Sequence, residues 1–146
     1  MKLDNKFLLS KTPEVSKIDK TLANDLMNFM KRKNALGLAA NQVGLNCRLF
    51  VMNVNVPRRC FNPRIVEFLP NNINTSIKEG CLSYPNNYIL KPRYLDIIVE
   101  YINQEGKLIE ATLYGLEAIC FQHELDHLNG IEWIKEWIKK KITNQC

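Results

Sequence analysis

Histidine, glycine and long apolar runs are all scarce in this chain. No stretch approaches the roughly 18 apolar residues of a membrane span, and the start, Met1 to Lys6, lacks the apolar core of a secretory signal. The chain is therefore expected to remain in the compartment where it is made, with no membrane partner. Disulfide spacing is missing too: the five cysteines are an odd number without a framework pattern, as expected of reduced thiols. There is no internal repeat and no low-complexity segment. The net charge of +5 is modest and spread, densest at residues 139–141, so polyanion contact is only weakly signalled. What remains is 146 residues, 46% hydrophobic and 24% charged, read as one domain over residues 1–146 with enough apolar content for a real core.

The only two histidines, His123 and His127, fall within residues 115–130. At helical spacing Leu116, Ile119, Cys120, His123 and His127 form one stripe, while Gln122, Asp126 and Asn129 make a narrow polar face. Phe121, Leu125 and Leu128 add a further apolar side, which predicts a helix surrounded by protein on most of its circumference. Imidazoles four residues apart are only about 40° apart around the axis, so both can ligate one ion. Glu124 sits roughly 100° from His123, a position suited to a general base acting on water at the ion rather than to a ligand. Two core histidines satisfied by hydrogen bonds would produce the same pattern.

A catalytic site of this kind needs a third protein ligand and an open position. Cysteines and carboxylates are the candidates. Cys81 lies between Gly80 and Pro85 in residues 78–85, a setting that favours close backbone approach. It is too far from His123 in sequence for the paired spacing of a structural zinc module.

Along the chain, residues 1–12 carry no clear period. Ile18, Leu22, Leu26, Phe29 and Met30 predict an amphipathic helix over residues 16–33, with Ser16 and Asp19 as a capping pair. Residues 35–44 are small and apolar except for Asn41 and Gln42, a packing loop or a place where a ligand comes close. Residues 48–56 and 61–68 read as strands, and residues 70–76 as a polar loop. Residues 95–102 and 107–113 flank a four-residue connection and predict a β-hairpin leading into the His-bearing helix. After Gly130, Ile131, Ile134, Ile138 and Ile142 line one face of a short basic amphipathic tail. The expected fold class is α+β, mostly antiparallel strands packed around a central metal-binding helix, with an amino-terminal amphipathic helix.

Three segments resemble the signature motifs of the peptide deformylases, in that family's order and at similar separations. Residues 35–42 are similar to its Gly-x-Gly-Leu-Ala-Ala-x-Gln stretch, residues 79–83 to Glu-Gly-Cys-Leu-Ser, and residues 122–130 to Gln-His-Glu-x-Asp-His-Leu-x-Gly. The likeness extends over about residues 25–130. It implies that Cys81, His123 and His127 hold one divalent metal ion, most often Fe(II), which zinc, nickel or cobalt can replace. It implies Glu124 as the catalytic acid/base, with the Gln42 amide and the Leu82 N–H stabilising the oxyanion. Gly37 would hold an extended substrate, Glu79 and Gly80 would lie beside it, and Leu36, Ile77, Leu116, Ile119 and Cys120 would surround a methionine side chain. The implied reaction is removal of the formyl group from N-formyl-methionyl peptides and nascent chains. The implied setting is a bacterial or phage-infected cytoplasm or an organelle, with no specific nucleic acid; the run Lys139 to Lys141 reads either as a weak ribosome contact or as an ordinary solvated face.

Departures from the family pattern are specific. Ala35 stands where the motif opens with glycine; a φ > 0 there would cost about 1 kcal/mol. Only sixteen residues follow Gly130. Arg93 stands where the family often has arginine and reads either as a partner of Glu79 or Asp126 or as an ordinary surface arginine. Two other readings use the same residues: a peptidase with His-Glu-x-x-His chemistry, and a metal-stabilised binding module on nascent chains or RNA.

Overall fold

A computed structural model describes residues 1–69, 72–74 and 77–131. The elements in chain order are α1 (Lys20–Arg32), β1 (Gly37–Ala39), a 3-10 turn (Ala40–Gln42), β2 (Leu49–Val54), β3 (Val56–Phe68), β4 (Ile73–Asn74), β5 (Lys78–Cys81), β6 (Tyr84–Leu90), β7 (Arg93–Tyr94), β8 (Asp96–Ile102), β9 (Leu108–Tyr114) and α2 (Gly115–Asn129). Five strands form one antiparallel sheet in the order β1-β2-β3-β8-β9, while β4 pairs with β7 and β5 with β6. The fold class is the expected α+β.

Strand β2 explains why the sheet has a helix on each face. Its residues alternate sides: Leu49 and Val51 join Ala23, Leu26, Met27 and Met30 of α1 in one cluster. Phe50, Met52 and Val54 join Ala118, Phe121, Leu125 and Leu128 of α2 in the other. Both sides of β2 are thus apolar, and a one-residue slip would exchange the two cores. Phe50 and Phe121 meet edge to face, ring centroids 4.9 Å apart at 82°.

Several expected boundaries move. Helix α1 starts at Lys20 rather than near residue 16, because the Asp19 carboxylate itself caps it, accepting from Leu22 N–H at 2.9 Å. The two strands expected over 48–56 and 61–68 become a tight β2–β3 turn at Asn55, φ 64°, and one long β3 bent by register shifts near Asn62 and Val66. The Cys81 segment, read only as closely approached backbone, is a hairpin of β5 and β6. The predicted hairpin over 95–113 is present as β8 and β9 and runs directly into α2. The tail helix, Trp133, Trp137 and Lys139 to Lys141 lie outside the described residues. Among the described residues no helix is long and apolar enough to cross a membrane.

Phe121 is fully buried between sheet and helix. Phe121→Ala is expected to lower the unfolding free energy by about 3–5 kcal/mol in urea titration; a loss under about 1 kcal/mol would contradict the packing of α2 against the sheet.

Candidate metal centre and substrate cavity

Helix α2 is held as a rigid bar. It begins directly after β9 and ends at Gly130, whose φ of 60° closes the last turn. A Cβ at Gly130 would lie 2.8 Å from the Leu9 carbonyl oxygen, so only glycine allows the amino-terminal arm to pass there. The polar face read from sequence is bonded rather than solvated. Gln122 accepts from Tyr94 N–H at 3.1 Å and donates to Tyr94 O at 2.7 Å, and Asn129 accepts from Arg48 at 2.6 Å. Asn41 donates its amide to the His127 carbonyl at 2.6 Å, a tether that nothing in sequence spacing announced.

The bar brings His123 and His127 against Cys81 at the end of β5. Their ligand atoms lie within 4.8 Å of one another. The two Nε2 atoms are 3.2 Å apart, and Cys81 Sγ is 3.3 Å from His127 Nε2. Ligand atoms around one tetrahedral ion, at usual zinc–nitrogen and zinc–sulfur lengths, stand roughly 3.3–3.6 Å apart. The two shorter separations lie close to that spacing, so the trio can close on a single ion. Glu79 supports it: its Oε1 accepts from His123 Nδ1 at 2.8 Å, which fixes the imidazole with Nε2 toward the other donors. Arg93 grips both Glu79 oxygens at 2.8 Å and also donates to Asp126 at 2.6 Å, so the expected pairing holds for both carboxylates.

Charge in this cluster is divided sharply. Burial alone would raise the Glu79 carboxyl, but hydrogen bonds from Arg93 and His123 outweigh it and bring its pKa down to about 2. Burial likewise opposes a charge on His123, yet hydrogen bonds to Cys81 and Glu79 hold it up to about 10. Burial and that neighbouring charge push His127 well below the ordinary range. A protonated imidazole cannot ligate, so an ion entering this cluster must displace the His123 proton.

Beside the trio, Glu124 is buried and its Oε2 has no hydrogen-bond partner among the described residues. Burial pushes its pKa up to about 7 against the pull of His123. Gly37 is what lets it sit there, because a Cβ at that position would lie 2.7 Å from Glu124 Oε1 and 2.9 Å from Cys120 Sγ. Gln42 follows on the 3-10 turn. Its Oε1 accepts from Ala39 N–H at 2.9 Å, and its Nε2 lies 3.3 Å from Cys81 Sγ and 3.1 Å from Ser83 Oγ. Sequence reading left this stretch between packing loop and ligand approach; it is an edge strand and a turn that aim an amide at the thiol.

A cavity of about 400 Å³ opens over these groups. Of the residues expected near substrate, Leu36, Gly37, Ile77, Glu79, Gly80, Leu116, Ile119 and Cys120 all line it, as does Leu82. They divide by depth: Ile119 and Cys120 form a buried floor, whereas Leu36, Ile77 and Leu116 are half-exposed at the mouth. Ala35 also lines the cavity with φ outside the left-handed region; the positive φ falls on Asn34, at 55°, so the alanine carries no such strain. Tyr84, Asn86, Asn87 and Tyr88 of the hairpin complete the lining. Sequence reasoning missed them because their place depends on how β6 folds back on β5.

An α+β scaffold that presents one thiol, two imidazoles and a buried carboxyl at the floor of a cleft is of the metallohydrolase class. The family model described as polypeptide deformylase matches residues 1–142. A peptide deformylase of Thermotoga maritima is 40% identical over 129 residues, 85% of this chain and 77% of the relative. The crystal structure of the Ehrlichia chaffeensis peptide deformylase in complex with actinonin is similar at a TM-score of 0.84 and 32% identity, covering 97% of this chain and 92% of that one. A Vibrio parahaemolyticus bacteriophage enzyme, also solved with actinonin, matches at 0.83 and 34%, covering 90% and 98%. The chain belongs to the peptide deformylase family, metal-dependent enzymes that remove the N-formyl group from nascent peptides.

The Glu79 ion pair has a pH signature. Because its folded pKa of about 2 lies below the ordinary 4.5, it adds stability that is complete above pH 4.5 and disappears as pH falls toward 2. Glu79→Gln should be less stable at neutral pH, and its Tm curve should converge on the parent's across that window; parallel curves would show that the pair carries no linkage.

Proposed function

We propose that deformylation in this chain runs through Cys81, His123 and His127 as ligands of one divalent ion, with Glu124 carrying the proton. The observation that supports this most is the convergence of three donor atoms beside a buried carboxyl whose Oε2 has no partner among the described residues. One soft sulfur with two imidazoles suits ferrous iron or zinc. We assign Fe(II), with zinc, nickel or cobalt as substitutes. Bound there, such an ion supplies Lewis acidity and brings the pKa of water from about 15.7 toward about 7.

The chain's own groups divide the remaining work. Glu124, with its pKa near 7, accepts the proton of the attacking water. Attack at the formyl carbon moves charge to the former carbonyl oxygen, where the Gln42 amide and the Leu82 N–H donate. Glu124 then passes the proton to the departing amine, leaving formate and a free amino terminus. Ile119 and Cys120 take the methionine side chain, and the Gly37 and Gly80 backbones keep the peptide extended. A formyl carbon bears only hydrogen, so a narrow cleft admits it and excludes larger acyl groups. The working place is the cytoplasm or an organelle interior, with at most a weak ribosome contact through Lys139 to Lys141; unchanged ribosome co-sedimentation after replacing those lysines would remove that contact.

Anaerobically prepared protein should release formate from formyl-Met-Ala-Ser with about one metal ion per chain. Glu124→Gln should keep the ion and lose about 100- to 10,000-fold in turnover. Gln42→Leu should lose about 100- to 1,000-fold. Full turnover in Glu124→Gln would overturn the proton-carrier role, cleavage of the peptide bond instead of the formyl bond would favour a peptidase, and an ion bound without any turnover would favour a binding module.

A further inference from the structure

We propose that Asn41 is a positioning residue for the reaction: by holding the backbone of His127 it sets the place of the Gln42 amide relative to the metal donors. This rests on the deformylase reading and adds a residue to it. Asn41 is fully buried and is not part of the cavity lining, so its effect on turnover passes through other groups. The atoms near its amide nitrogen are both backbone carbonyl oxygens, His127 at 2.6 Å and Phe7 at 3.5 Å, which fixes the nitrogen as the end that faces them. Its Oδ1 is buried without a hydrogen-bond partner among the described residues. An acceptor left in that state costs stability, so packing alone would be served as well by an apolar side chain of the same shape.

The plain alternative is a helix cap, since the last carbonyls of a helix have no partner within it. Thr12 fills that role at Leu128, donating its backbone N–H at 2.8 Å and its hydroxyl at 3.1 Å, and Arg48 fills it at Asn129. The His127 carbonyl, however, already accepts from Gly130 N–H at 3.1 Å, so Asn41 is a second donor to it. What separates Asn41 from Thr12 is the residue that follows. Asn41 and Gln42 share the 3-10 turn, and Gln42 reaches Cys81 Sγ at 3.3 Å while Ala39 N–H holds its Oε1 at 2.9 Å. The turn therefore touches two of the donor residues, His127 through Asn41 and Cys81 through Gln42, and Glu79 holds the third. The peptide joining residues 41 and 42 is planar and stiff, so a shift of the Asn41 anchor carries Gln42 with it. Misplacing reacting groups by about 1 Å costs on the order of 100-fold in rate.

The test compares Asn41→Leu with Thr12→Val, each of which removes one side-chain donor from the end of α2, the second without any link to Gln42. Parent and variants are loaded with cobalt(II), whose visible absorption bands report the geometry of its ligands. Asn41→Leu should lower kcat on formyl-Met-Ala-Ser by about 10- to 100-fold, with KM within about twofold of the parent's, and should shift the cobalt bands. Thr12→Val should lower Tm yet keep the parent's kcat and bands. Asn41→Ala should repeat the Asn41→Leu pattern and stands in for it should the leucine variant not fold. Asn41 variants with a lower Tm but parental kcat and bands would overturn the inference, because the contact would then be a helix cap and nothing more. Failure of both Asn41 variants to fold, or an equal loss of kcat in Thr12→Val, would overturn it on the same ground. A parent that binds cobalt and releases no formate would instead overturn the deformylase reading.

Discussion

A buried ion pair, Arg93 with Glu79, is the interaction on which the site's geometry depends. Glu79 belongs to the hairpin that carries Cys81, and it also fixes the His123 ring on α2. Arg93 reaches past it to Asp126, one residue before His127, where Lys91 also donates at 2.9 Å. Ions this deep are seldom a net source of stability, because the desolvation they suffer offsets much of their attraction. Their value here is positional: the hairpin and the helix are independent elements, and this pair sets the distance between a thiol and two imidazoles.

The rest of the fold serves the same end from further out. The sheet is apolar on both faces along β2, so α2 is pressed against it from one side while α1 closes the other. A helix with one bare face could shift by a fraction of a turn. This one has its apolar sides packed and its polar side bonded to Tyr94, Arg48, Arg93 and Lys91, leaving little freedom for the ligands it carries.

Much of this was legible in the order of residues. The His-bearing helix, the hairpin before it and the strand pair of the sheet announce themselves because their periods run over many residues, and Cys81 because of its setting between glycine and proline. What stayed hidden depends on contacts between distant parts. Asn41 tethers His127 through a backbone carbonyl, which has no side-chain signature. Tyr88 reaches the cavity only through the fold-back of β6. The strand at Gly37–Ala39 is too short to show a period, and the start of α1 was misplaced because two residues, Ser16 and Asp19, each have the chemistry of a cap.

The amino-terminal arm carries a further meaning. Thr12 bonds the Leu128 carbonyl across 116 positions of sequence, Asn41 bonds His127 across 86, and Cys81 meets His127 across 46. Contacts so remote are made only when distant parts of the chain have been brought together, each at a cost in loop-closure entropy. The donor set is therefore a property of tertiary assembly and belongs to no single element. Until α2 has docked, Cys81 is an isolated thiol on a hairpin, so competence waits on the meeting of two elements that lie far apart in sequence.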